Sequence, residues 1–205
     1  MPTYKLYYFN LKARAELIRW IFAQAGVKYE DIRLDKEQWA KMKPDTPNGS
    51  LPVLDVDGQM LAGSGPIARF VAEQHGLAGE NDLENAQIAG IDDLLTDATN
   101  RIARFWFEKD EVTKAQLKKD LDEKHLPFYL SFLEKCITTN AAPEGWLFGK
   151  KVTYVDLRLT LSVEFVQKFS DKILESYPGI LKLKQSVLAL PNIDKWIKER
   201  PQTDF

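Results

Sequence analysis

Tyr4-Lys5-Leu6-Tyr7-Tyr8-Phe9 opens the chain with aromatic and β-favouring residues and predicts a strand. Leu17, Ile18, Ile21, Phe22 and Ala25 then recur at steps of three and four, which predicts a helix over 14–25 stopped by Gly26. A second strand is expected over 27–34. Lys36 to Lys43 reads as a short polar helix or turn closed by Pro44 and Pro47. The apolar run Val53 to Val56 meets Asp57-Gly58, a two-residue turn signal, because a type I′ turn needs positive φ at both central residues. A helix from Ser64 to His75 follows, with Ser64 expected as its N-cap and Gly76 as its stop. The order β-α-β-α-β-β-α implies a small α/β sandwich with a mixed sheet.

Beyond this the pattern changes. Seven of the 11 glycines lie within the first 79 residues; none falls between Gly90 and Gly145, and no proline falls between Pro66 and Pro127. Such a span suits long helices. Ile88, Ile91, Leu95, Ala98, Ile102 and Phe105 form one apolar stripe, and Leu126, Leu130, Leu133 and Ile137 form another, with Pro127 marking a start or a kink. Residues 153–166 are ambiguous, since Val155, Leu157, Leu159, Leu161, Val163 and Phe165 alternate like a strand. Val155, Leu159, Val163 and Val166 nevertheless form a helical stripe, with Leu157, Leu161 and Phe165 beside it. Thr153-x-x-Asp156 is a capping-box pattern, so a helix buried on two sides is expected. The domain boundary is placed in the polar connector 77–82, giving domains over 1–79 and 80–205.

Composition narrows the class. Apolar residues make up 44% and charged residues 28% of 205 residues, with a net charge of −2, which is ordinary for a soluble globular protein and gives no footprint for nucleic acid. No apolar run approaches the ~18 residues of a membrane span, and the first residues do not read as a signal peptide. The single Cys136 excludes an internal disulfide and fits a reducing compartment, so a cytoplasmic protein is expected. His75 and His125 are too few for a metal cluster, and no metal is expected.

The stretch from Ser50 to Arg69 carries candidate chemistry. Pro52 has no N–H to donate to a ladder, so Leu51 can turn its own backbone N–H and C=O to a ligand. The helix start at Gly63-Ser64 can hold a carboxylate on its unpaired N–H groups. Taken alone, a hairpin and a capped helix without ligand describe the stretch as well.

Tyr4 to Asn10, Arg14-Ala15-Glu16, Leu51-Pro52-Val53-Leu54, Ser64, Ile67-Ala68-Arg69, Thr153-x-x-Asp156 and the terminal Arg200-Pro201-Gln202-Thr203, in that order and spacing, resemble the cytosolic glutathione transferases. The sigma class, which includes the glutathione-dependent prostaglandin D synthases, is the best match. The resemblance implies an α/β thioredoxin-like N-terminal domain, an all-α C-terminal domain, glutathione as co-substrate and a homodimer. It matches Tyr8 to the catalytic tyrosine, whose phenol O–H would favour the glutathione thiolate, with Arg14 adding positive potential near the ring. A free thiol of pKa about 8.5 is mostly protonated at neutral pH, and lowering it by two units corresponds to ~2.7 kcal/mol. Trp39 and Lys43 match contacts to the glycyl end. Leu51, with its neighbours Ser50 and Pro52, would meet the cysteinyl part. Gly63 and Ser64 would meet the γ-glutamyl carboxylate, and Asp97 the γ-glutamyl amine across the dimer. A pocket for a small hydrophobic electrophile, between the domains, is expected near Tyr8, Phe9, Arg101, Arg104, Phe105, Arg158 and Phe205.

Several positions depart from the family pattern. Gly63 replaces a usual glutamine, Gly65-Pro66 replaces bulkier residues, Lys12-Ala13 replaces Arg-Gly, and Ser50 stands where lysine or glutamine is frequent. Weaker glutathione binding is expected. Arg104 falls where prostaglandin-forming members carry tryptophan, which places prostaglandin synthesis behind conjugation. The alternative is a non-catalytic, crystallin-like or ligand-carrying relative. Asp92-Asp93 with Asp97 is expected to be a solvated acidic surface rather than a metal site.

Overall fold

The computed structural model describes residues 2–140, 142, 144–170 and 172–203. By contacts the chain divides into two compact units, one formed by Met1–Ala78 with Leu190–Phe205 and the other by Gly79–Ala189. The last segment thus belongs to the first unit, although the sequence places it in a continuous stretch 80–205.

In the first unit β1 (Tyr4–Phe9), α1 (Glu16–Ala25), β2 (Glu30–Leu34), α2 (Lys36–Met42), β3 (Val53–Val56), β4 (Gln59–Ala62) and α3 (Ser64–Gln74) follow in the expected order. The sheet runs β2-β1-β3-β4, with β1 parallel to β2 and antiparallel to β3, and β3 antiparallel to β4. It is a thioredoxin-like mixed sheet. Tyr4, Leu6 and Tyr8 share the buried face of β1, where the Tyr4 ring lies 5.1 Å from Phe22 of α1. Phe9 points to the opposite face and meets Trp39 of α2 edge-on at 6.4 Å. The turn behaves as its residues dictate: Asp57 and Gly58 both take positive φ, 50° and 89°.

β2 begins at Glu30 rather than residue 27 because Val27 is used to finish α1. Gly26 takes φ 66°, its N–H donates to Ala23 O at 3.0 Å, and the Val27 N–H reaches Phe22 O at 3.0 Å. That is the six-to-one closure of a helix by a left-handed glycine. Ala13, in the 3₁₀ turn Ala13–Ala15, stands at φ 31°, where its Cβ costs ~1 kcal/mol that a glycine would not incur.

Glu16 to Phe22 of α1 are all buried, including the charged Glu16 and Arg19. Leu17, Ile18, Trp20, Ile21 and Phe22 contribute ~1.5–3 kcal/mol each by leaving water, whereas a buried charge costs energy unless paired. Glu16 Oε1 accepts from Trp20 Nε1 (3.0 Å), Trp196 Nε1 (3.0 Å) and Arg200 Nη1 (2.7 Å). Trp196 belongs to α9 (Pro191–Glu199), so this carboxylate ties the C-terminal segment to the first unit. Burial pushes the Glu16 carboxyl up, but the bonds from Trp196 and Arg200 and the charges of Arg200 and Arg19 outweigh it and hold it below the usual range.

The second unit is helical: α4 (Asp82–Phe107), α5 (Glu111–Asp120), a π-helical turn Leu121–His125, α6 (Leu126–Asn140), α7 (Tyr154–Phe169) and α8 (Pro178–Leu188). Ile88, Ile91, Leu95, Ala98 and Ile102 of α4 are buried as the stripe predicts, while Phe105 is half-buried. Pro127, lacking an N–H, sits one residue into α6 directly after the π turn, which the Leu126 N–H closes onto Leu121 O. The ambiguous segment is a helix. Its Val155, Leu157, Leu159, Val163 and Val166 are buried, and Phe165 stacks on Trp106 of α4 at 5.5 Å. Asp156 anchors it: Oδ1 accepts from Leu147 N (2.8 Å), and Oδ2 from Thr153 N (2.7 Å) and Thr153 Oγ1 (2.9 Å).

Burial lifts the Asp156 carboxyl from 3.8 to about 6 despite those three donors. The folded state then binds more protons than the unfolded one between these values, so this group's contribution to stability falls as pH rises through that window. The stability advantage of the wild type over Asp156→Asn, read from urea unfolding midpoints, is expected to be largest near the lower end and to shrink toward neutrality. An advantage that grows with pH would contradict the assignment.

Candidate active site

Strand register gathers one set of residues at a single end of the sheet. Tyr7 pairs with Val53 and Phe9 with Leu34, so the C-terminal ends of β1 and β2 lie beside the N-terminal start of β3. Val53 pairs in turn with Ala62, and the Gly63 N–H donates to Pro52 O at 3.1 Å, which brings the start of α3 to the same end. Tyr8, Leu51, Pro52, Gly63 and Ser64 therefore converge, and α2 begins there on the other face.

Tyr8 is buried at 7% exposure, with its ring 6.0 Å from that of Phe9. Its hydroxyl has no hydrogen-bond partner among the described residues, yet it is not among the sealed, unpartnered side-chain atoms. It therefore keeps solvent access and is available as a donor. Arg14 is exposed in the 3₁₀ turn and makes no ion pair with a described residue. A guanidinium at the Tyr8 ring is that of Arg19, with Cζ 6.0 Å from the centroid, within reach of a cation–π contact. Arg19 is anchored by Leu11 O (2.7 Å), Asp31 (3.1 Å) and Glu16 (3.3 Å). It lies within the buried stretch Glu16–Phe22 of α1, where no local pattern singles it out.

Leu51 and Pro52 are joined by a cis peptide, and the ladder starts at Val53, so Leu51's own N–H and C=O lie outside it. Ser50 is exposed, its N–H and hydroxyl both donating to Asn48 Oδ1 at 3.1 and 2.8 Å. Ser64 is the first helical residue rather than the cap; Gly63 caps α3 at φ 96°, a conformation L side chains rarely adopt. The Ile67 N–H is the first to close back, onto Gly63 O at 3.1 Å. Since Pro66 has no N–H, the helix start offers only the Ser64 and Gly65 N–H groups and the Ser64 hydroxyl to an anion. Trp39 is half-buried against Phe9, and Lys43 is exposed at the end of α2, its Cε near Gly49.

Asp97, Arg101, Arg104, Phe105 and Arg158 of the expected site lie in the second unit. Asp97 is exposed on α4 without an ion pair among the described residues. Arg101 donates from Nε to the Tyr129 hydroxyl at 2.9 Å, and Arg104 is exposed. Phe105 meets Phe169 edge-on at 5.1 Å, with Lys114 Nζ 5.6 Å from its centroid. Arg158 is committed to Asp92 at 2.8 Å. Asp92 is 2% exposed, so it is not part of a solvated acidic surface as expected: a guanidinium on α7 draws it into the interior. Phe205 lies outside the described residues. Among the described residues no group of three or more His, Cys, Asp or Glu side chains could hold a metal ion, and no helix is long and apolar enough to cross a membrane.

The descriptions "Glutathione S-transferase, N-terminal domain" and "Glutathione S-transferase, C-terminal domain" match residues 2–73 and 96–200. Glutathione S-transferase 1 of Ascaris suum is 39% identical over the whole of both chains. Hematopoietic prostaglandin D synthase of Gallus gallus is 38% identical over 99% of each. The crystal structure of the glutathione S-transferase from Ascaris lumbricoides superposes with a TM-score of 0.90 at 38% identity, covering both chains completely.

Proposed function

The chain belongs to the glutathione S-transferase family, and we propose that it conjugates the glutathione thiolate to small hydrophobic electrophiles, with the Tyr8 hydroxyl donating to the sulfur. The observation that carries this reading is the Tyr8 O–H, which no described residue occupies, at the sheet end where Leu51 and the start of α3 also expose backbone donors. A phenol donating to sulfur stabilises the anion over the thiol, and the thiolate is the nucleophile. The step then needs no covalent enzyme intermediate: sulfur attacks the electrophilic carbon, the leaving group departs with its electron pair, and the thiol proton goes to solvent.

In this reading the Ser64 and Gly65 N–H groups with the Ser64 hydroxyl take the γ-glutamyl carboxylate, and Leu51 pairs its backbone with the cysteinyl part. Trp39 and Lys43 border the glycyl end. Asp97 serves the γ-glutamyl amine of the partner in a homodimer. Conjugation is favoured over prostaglandin synthesis by the exposed cation of Arg104 at the position expected to carry tryptophan.

Tyr8→Phe keeps the ring and removes the donor. It is expected to lower kcat/KM for chlorodinitrobenzene about 25-fold at neutral pH, the loss of thiolate when a thiol pKa of about 6.5 returns to about 8.5. Undiminished conjugation would rule the mechanism out. Pro66→Ala restores one N–H at the start of α3. Titration calorimetry is expected to find glutathione bound about three- to tenfold more tightly, the net worth of one ordinary hydrogen bond; unchanged affinity would show that the carboxylate does not sit there.

A further inference from the structure

Arg19 is completely buried, and its Nη2 has no hydrogen-bond partner among the described residues. Leaving such a donor unmet costs ~1–3 kcal/mol, more for a charged group, so a guanidinium used only as a tie would be fully satisfied. The guanidinium to which it belongs lies over the Tyr8 ring, with Cζ 6.0 Å from the centroid. What keeps it there is the division of two carboxylates among three guanidiniums. Asp31 is shared between Arg19 (3.1 Å) and Arg33 (2.9 Å), and Glu16 between Arg19 (3.3 Å) and Arg200 (2.7 Å). The cluster therefore retains one net positive charge next to Tyr8.

Glu16 leans away from Arg19. Its Oε1 takes the short bond from Arg200 together with the indole N–H groups of Trp20 and Trp196, while Arg19 holds Oε2 at the longest distance of the set. The C-terminal segment thus claims most of the Glu16 charge. Without it, Glu16 would turn to Arg19, neutralise it and draw it from the ring.

We propose that Arg200 and Trp196 are positioning residues for catalysis, acting through Glu16 and Arg19 to hold a net positive charge against the Tyr8 ring. Neither touches the reacting atoms. The idea rests on the Tyr8 reading above. A terminal segment that merely fastened the fold would change stability and nothing else. The relay predicts that the segment also changes how easily bound glutathione loses its proton.

The experiment follows the ultraviolet absorbance of the thiolate against pH in the full chain saturated with glutathione, for wild type, Arg200→Gln, Arg200→Lys, Trp196→Phe and Tyr8→Phe. Arg200→Gln is expected to leave about three- to tenfold less thiolate at a pH below the midpoint, the effect of one screened, partly buried charge. Trp196→Phe should move it in the same direction by less, and Arg200→Lys should restore most of it. A lowered unfolding midpoint with an unmoved thiolate titration in both Arg200→Gln and Trp196→Phe would overturn the proposal. Should Arg200→Gln fail to fold, Trp196→Phe, which loses one neutral donor, decides alone. Tyr8→Phe separates the two ideas. If it leaves the titration unmoved the Tyr8 reading fails, whereas a shift there with none in the other variants removes only the relay.

Discussion

A charge inside a protein must find a partner, and α1 buries two of them, Glu16 and Arg19, directly beneath the strand that carries Tyr8. Their partners come from far apart in the chain: Leu11 in the loop after β1, Asp31 in β2, and Trp196 and Arg200 near the C-terminus. Each satisfies a group that would otherwise be costly, so β1, its following loop, β2 and the terminal segment are held in one arrangement. The same charges lie against the ring whose hydroxyl is assigned the chemistry. Stability and function share these atoms, and substitutions here call for a readout of each.

The second constraint is the end of the sheet. Parallel pairing to β2 and antiparallel pairing to β3 bring two outgoing strand ends beside one incoming start. There the ladder stops at Val53, Leu51 keeps its backbone groups, and α3 begins with two usable N–H groups. Main-chain donors fixed by the sheet carry no side-chain entropy and are already aimed before a ligand arrives. That suits recognition of a peptide-like molecule with a carboxylate.

Local pattern was readable wherever one short stretch decides the outcome. Tyr4 to Phe9, the Asp57-Gly58 turn and the stripe of α4 follow from residues within reach of one another. For α7 the strand period of the apolar residues misleads, and the Thr153–Asp156 cap with its helical neighbours overrides it. Boundaries fixed by backbone closure were less visible, as with Val27 spent on capping α1 and Gly63 displacing Ser64 from the cap. Long-range pairing was not readable. Nothing near Asp92 announces Arg158, and nothing near Glu16 announces Arg200, because such partners are chosen by tertiary packing. The resemblance supplied Tyr8 and the sheet-end residues; the placement of Arg19 at the ring is set by tertiary packing that no local pattern announces.

The central claim concerns one hydroxyl and one sulfur atom. A crystal structure of the chain with glutathione bound measures it most directly. The account predicts the cysteinyl sulfur within hydrogen-bond reach of Tyr8 Oη, with the γ-glutamyl carboxylate at the Ser64 and Gly65 N–H groups. A fully occupied tripeptide whose sulfur faces another group, with Tyr8 Oη bonded to water alone, would contradict it.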